Sequence, residues 1–271
     1  MLLPFACSRD SFTVPNPTLF QETSWPVDDL DDPSDSWNLS DFQNQRGMPG
    51  HDLYGNLHDY VAITLSNFHN RIKRIGINLV LYNLDAKNLP EVLDQGSFAR
   101  IECANLCEYG FFGVKRTVEL FLPLLQPRAR NPHATLITTF IAAAHNVFAK
   151  KRESHWSDEE ANADFVLASR YIHLNPYSTA SFAADEIYMF RACSIVRDWD
   201  AIFQQYMDEN DFDGVERSAK ANRRGANAVV GDWNWRLTKG PDASDRVAEF
   251  MRLMFTTSGG PTMYVEWTRT S

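Results

Sequence analysis

The chain is poor in cysteine, with four in 271 residues (Cys7, Cys103, Cys107 and Cys193) at irregular spacing. Cys103 and Cys107 are spaced so that both could face a metal, but no CxxC pair or Cys/His set completes a site. A disulfide scaffold is excluded as well, and buried free thiols in a reducing, cytoplasmic setting are expected instead. No long apolar run occurs, and the mean hydropathy of −0.35 excludes a membrane-spanning helix. Met1–Phe5 lacks the basic lead-in of a signal peptide. Cations are outnumbered, 26 Lys and Arg against 35 Asp and Glu, and a net charge of −9 argues against broad nucleic-acid affinity. Neither GxGxxG nor GxxxxGK[ST] is present, so the chain has no glycine turn to cradle a nucleotide phosphate.

What the sequence does contain is organised around residues 98–113, FARIECANLCEYGFFG. Phe98, Ile101 and Cys103 predict a short buried strand, which breaks at Asn105 into a polar segment ending in glycine before a helix from Val114. A strand ending in polar residues ahead of such a turn is where open α/β sheets place their ligands.

This stretch resembles the signature of a fungal family of unknown function whose members often carry an N-terminal MYND zinc finger. Part of that family's domain recurs in an axonemal dynein-assembly factor. Three further blocks are similar in order and spacing: Met1–Phe20 (MLLPFACSRDSFTVPNPTLF), Asp52–Leu57 (DLYGNL) and Asn131–Phe140 (NPHATLITTF). Ala99, Ala104 and Glu108 stand where the family usually has Asp, Ser and Asp. In the family a long N-terminal half precedes these blocks, and a partner protein supplying that half is one implied arrangement. Asp85-Ala86, Leu89-Pro90 and Phe98–Ile101 also resemble the third and fourth motifs of class I methyltransferases. The implied fold is a Rossmann-like, mostly parallel sheet with a helical C-terminal portion. Without the glycine turn, no S-adenosylmethionine and no other cofactor is expected.

Periodicity agrees with an α/β class. Residues 1–50 hold six of the 13 prolines and the acidic run at 28–32, with scattered aromatics, and predict an extended arm lying on the body. One α/β domain, 51–271, follows, with a helical insertion at about 155–210. Apolar residues from Leu53 to Ile75 at spacings of three and four predict a helix ended by Gly76. Ile77–Leu84 predicts a buried strand, 90–93 a helical turn, 114–125 a helix, and Ala134–Phe140 a third, parallel-type strand. Helices are expected at 158–174, 183–191, 195–207 and 245–255, with Ser157 as a cap for the first. A mobile basic loop is expected at 210–233, and an edge strand at 262–268.

Ligand chemistry is expected at the strand ends. Glu102, Asn105, Glu108, Tyr109 and His133 are the candidate catalytic residues: carboxylates at a sheet rim suit a cationic substrate or general-base work, and histidine titrates near neutrality. The bland alternatives are that Asp85 caps a turn, Glu102 pairs with an arginine and His133 stabilises its turn. Asp85, Tyr171, Tyr177, Ser178 and Glu186 are candidates for substrate binding and cover, against core packing for the tyrosines and helix-dipole compensation for Glu186. Three functions fit. One is a transferase or condensing enzyme of fungal specialised metabolism acting on an amino-acid-like or cationic small molecule. Another is a tRNA-dependent aminoacyl transferase of the cyclodipeptide-synthase kind with an arginine-containing product, in which Arg217, Lys220, Arg223 and Arg224 meet the tRNA. The third is a non-enzymatic adaptor.

Overall fold

The run Thr135–Phe140 (TLITTF, β2) is buried at every position, as a continuous apolar and β-branched segment requires when both faces are covered. The computed structural model describes residues 37, 39–42, 52–155, 158–172, 182–231, 237–254 and 261–270, without the side chains of 39–40, 152–162 and 182–187. Around β2 the described residues form an open four-stranded sheet. Arg100–Glu102 (β1) pairs with it in parallel. Met263–Arg269 (β4) pairs with it antiparallel, and Ala221–Arg223 (β3) closes the far edge antiparallel to β4, giving the order β1-β2-β4-β3.

The class is therefore α/β, but the sheet is mixed. The expected edge strand at 262–268 lies inside the sheet, because the chain after residue 220 turns back and pairs on its free side. Ile77–Leu84 is not a strand. Its backbone makes no ladder hydrogen bond among the described residues, and Leu79 and Leu81 are 80% and 94% exposed. An apolar run becomes a central strand only where a neighbour offers an edge, and among the described residues none reaches this one.

Helices cover the sheet. Leu39–Phe42 (α1) packs on Leu53–Ile75 (α2), which Asp52 caps by accepting from the Gly55 N–H (2.9 Å). Phe42 is fully buried there and Trp37 sits edge-on to Tyr60; residues 39–42, expected as part of an extended arm, are helical, and the rest of 1–50 apart from Trp37 lies outside the described residues. Leu89–Val92 (α3) is one turn, and Val114–Phe121 (α4) ends in a 3-10 turn at Leu122–Leu124. Ala143–His155 (α5), Asp158–Ser169 (α6), Phe182–Val196 (α7), Trp199–Glu209 (α8), Phe212–Ala219 (α9) and Arg246–Met254 (α10) follow.

The expected loop at 210–233 thus contains α9 and β3. Asp211 caps α9 through the Gly214 N–H, Phe212 and Val215 are buried, and Lys220 ends it in the left-handed conformation. The main core lies on one face of the sheet, where Leu136, Phe140, Val265 and Trp267 meet α4, α8 and α9. A second cluster joins α6, α7 and α10, within the helical region expected at 155–210 and beyond it. Ser157, the expected cap of α6, lies outside the described residues.

Ala104 turns the chain out of β1 at φ 43°, a left-handed conformation that costs an L-residue roughly 1–2 kcal/mol. Its surroundings are open, and glycine adopts this φ without a Cβ clash. Ala104→Gly is expected to raise unfolding stability by about 0.5–1 kcal/mol, read from the urea midpoint at unchanged slope.

Candidate functional site: the polar face of the sheet

Side chains alternate across a strand, so the register divides the sheet into two faces. Ile101, Leu136, Phe140, Val265 and Trp267 point into the core. Glu102 pairs with Ile137, Ile137 with Glu266, and Arg224, just beyond β3, donates its N–H to the Glu266 carbonyl (2.9 Å). These four residues make one row on the opposite face, and Thr139 pairs with Tyr264 in the next. Neighbouring strands lie about 4.8 Å apart, so roughly 10 Å of sheet separates the backbones of Glu102 and Glu266.

Glu266 is fully buried. Its carboxylate accepts from the N–H groups of Ala228 (2.9 Å), Val229 (2.6 Å) and Val230 (2.9 Å) and lies 3.3 Å from Arg224 Nε. Burial alone would raise its pKa, but the three N–H donors and then the Arg224 charge hold it below the ordinary glutamate value. Arg224 Nη2 also comes within 3.5 Å of Thr135 Oγ1. Glu108 and Glu249, the other buried carboxylates among the described residues, are bound in the same manner. Glu108 Oε1 accepts from Ala142 (2.6 Å) and Ala143 (3.0 Å) at the start of α5, and Glu249 accepts from the Thr238 and Lys239 N–H groups (3.0 and 2.9 Å).

Glu102 differs from all three. It is exposed, and among the described residues it makes no hydrogen bond or ion pair. With Arg100 it lines an apolar cavity of about 260 Å³ beside β1, whose other lining includes Leu89, Leu93, Phe98, Ile101, Leu106 and Leu124. Its charge is felt nearby. The Cys103 thiol is pushed up to about 12 by burial and secondly by Glu102, and the Tyr264 hydroxyl is raised by burial and then by Glu102. Both stay protonated at neutral pH, and Cys107 is pushed higher still by burial, so neither thiol is a poised nucleophile. Thr139 Oγ1 is buried without a partner among the described residues.

The other expected site residues are dispersed. Asp85 caps the 3-10 turn at Ala86–Asn88 through the Lys87 N–H (3.1 Å) and pairs with Lys87 Nζ (2.9 Å) at the surface. The Asn105 carbonyl accepts from the Glu108 N–H inside the turn after β1. Tyr109 points outward, 93% exposed. His133 holds its turn through its backbone, the N–H donating to Asn131 Oδ1 (3.0 Å) and the carbonyl accepting from Thr135 Oγ1 (2.8 Å). Tyr171 belongs to the second core cluster, stacked on Phe250 with its hydroxyl on the Lys239 carbonyl (3.0 Å). Tyr177 and Ser178 lie outside the described residues, and Glu186 falls on α7 in a stretch without described side chains.

Of the basic set, Arg223 pairs with Asp213 and with Glu216 (3.3 Å), while Arg217 and Lys220 are exposed. Arg223 and Arg224 border a polar cavity of about 660 Å³ with Gln204, Met207, Asn227 and Tyr264. Tyr264 and Glu266 were not among the sequence candidates. The signal that would have found them is a tyrosine and a carboxylate at alternate positions of TMYVEWT, on the face opposite Val265 and Trp267. No family model, curated protein or solved structure matches the chain. Among the described residues no group of three or more His, Cys, Asp or Glu could hold a metal ion, and no helix is long and apolar enough to cross a membrane.

Proposed function

We propose that the chain is an enzyme, a transferase or condensing enzyme of the cytoplasm, that takes an amino-acid-like or cationic small substrate at Glu102. The observation that carries this is the contrast among the carboxylates on and around the sheet. Glu108, Glu249 and Glu266 are occupied by backbone donors, whereas Glu102 has no partner among the described residues and borders an apolar cavity of side-chain size. An ammonium or guanidinium group would bind the carboxylate, and the substrate's apolar part would enter the cavity. Tyr264, protonated and on the same face, would donate a hydrogen bond to the reacting group. The sheet would be methyltransferase-like in the sense that β1, β2 and β3 run one way with β4 reversed between β2 and β3. S-adenosylmethionine is no part of this proposal, since the glycine turn is missing from the sequence. A tRNA donor draws little support, because Arg223 and Arg224 are engaged with Asp213, Glu216 and Glu266 and only Arg217 and Lys220 are left exposed.

The test is untargeted mass spectrometry of a host making the protein or its Glu102→Gln variant. The variant is expected to lose the product by about a hundredfold or more, while its stability stays within about 1 kcal/mol of the parent. Equal product from both proteins would remove Glu102 from the chemistry. No product difference between the parent and an empty host would remove the enzyme.

A further inference from the structure

From Ala62 onward α2 stands clear of the other described residues, and only Ile72 is less than exposed between Ala62 and Leu84. This surface is not the polar one usual for a solvated helix. Val61, Leu65, Phe68, Ile72 and Ile75 follow spacings of four, three, four and three, the repeat of a coiled-coil seam. Ala62 and His69 flank it on one side, Thr64 and Arg71 on the other, so no acidic residue borders it. The helix then runs into the uncharged segment 77–84. Between Leu65 and Leu84, nine large apolar side chains are at least 44% exposed. At roughly 100 Å² for each, these side chains expose about 900 Å² per chain, of which the part that shares the seam's side enters a single contact. A standard interface takes about 800 Å² per partner, and a monomer seldom leaves more than about 300–600 Å² in one patch.

We propose that this surface is the contact between two copies of the chain, arranged antiparallel about a two-fold axis passing α2 between Leu65 and Phe68. A second copy fits because the surface is complementary to itself. A seam of this kind receives an identical seam, and residues 75–84 carry no charge to repel their own copy. The ends of α2 set the direction. Arg71, Lys73 and Arg74 crowd its C-terminal end, while Asp52 and Asp59 lie toward its N-terminal end. A parallel pair would gather six cations in one place. The antiparallel pair sets each basic end against the partner's acidic end and opposes the two helix dipoles. The seam itself is only about two heptads long, so 77–84 must contribute to the contact. In this register Leu65 packs on Phe68 of the partner subunit, and Ala62 faces His69 of the partner subunit.

Sedimentation of the full chain tests this. The parent is expected at twice the 31.0 kDa chain mass. Leu65→Glu and Phe68→Glu change exposed positions, 60% and 59%, and are expected to sediment at the chain mass with unchanged circular dichroism. A mixture of Ala62→Cys and His69→Cys chains is expected to form a mixed disulfide, with neither variant cross-linking to itself. A parent at the chain mass, variants that keep the doubled mass, an open-ended assembly, or self-cross-linking at Ala62→Cys would each overturn the proposal. A partner protein as the true occupant would appear as a parent monomer in isolation, which counts against a second copy.

Discussion

Glu266→Ala is expected to destabilise the protein by about 3–5 kcal/mol, the range for breaking a buried ion pair and leaving its partner uncompensated. The substitution removes the acceptor for three N–H groups at 228–230 and the counter-charge of Arg224, whose Nε is buried. Glu266 itself lies in the interior, whereas Arg224, Val229 and Val230 are half-buried and Ala228 is exposed, so water takes over part of the lost acceptor and the lower end of that range is expected. Chemical denaturation measures the loss, and a change below about 1 kcal/mol would show that the 228–230 loop draws its hold from elsewhere. The same carboxylate makes stability depend on pH. Its folded pKa is depressed, so the contribution is fully present above the ordinary value of 4.5 and is lost as pH falls from there through the lower folded value. On acidification below about pH 4.5 the parent's denaturant midpoint is therefore expected to fall more steeply than that of Glu266→Gln, which has no charge to lose.

Trp267→Ala is the second substitution expected to be severe, again about 3–5 kcal/mol. Trp267 is fully buried in the middle strand, against Phe212, and its Nε1–H donates to Thr138 Oγ1 (2.9 Å). Alanine leaves a cavity between β4 and α9 and deprives the Thr138 hydroxyl of its donor. Trp267→Phe keeps much of the volume and loses the hydrogen bond, so about 1–2 kcal/mol is expected. The gap between the two variants in thermal or urea melts separates packing from hydrogen bonding. Equal losses would mean that the indole N–H, rather than ring volume, sets the stability of the sheet.

Sequence periodicity reached furthest where local pattern and tertiary context agree. TLITTF is a fully buried strand, and Leu53–Ile75 is a capped helix ended at Gly76, as the spacing implies. It failed where context decides. Ile77–Leu84 has the composition of a core strand but no edge among the described residues to pair with, so composition alone misassigned it. At 210–233 the polar and glycine residues hid Phe212 and Val215, two buried positions that make α9 amphipathic. Glu102 and Arg224 were both legible as polar candidates, but their shared row was not, because it depends on the pairing of β1, β2 and β4 across long stretches of chain. Glu108 carries a contact that the sequence did not indicate. A carboxylate at a strand end looks like chemistry in sequence, and three-dimensional placement makes it the anchor of α5.

The strand order has a consequence for how the protein is made. β4 lies between β2 and β3, and the bond from Thr138 Oγ1 to the Val265 carbonyl joins residues 127 apart. While the ribosome is still working through that interval, β2 has only the three-residue β1 beside it, and its other edge, with Leu136, Ile137 and Phe140, stays open. Contacts this distant along the chain form slowly, since the loop must close before the pairing stabilises it. An unpaired apolar edge held open for that interval is a template for strand addition by another nascent chain, so yield in a fast-translating host should be limited by aggregation well before it is limited by native stability.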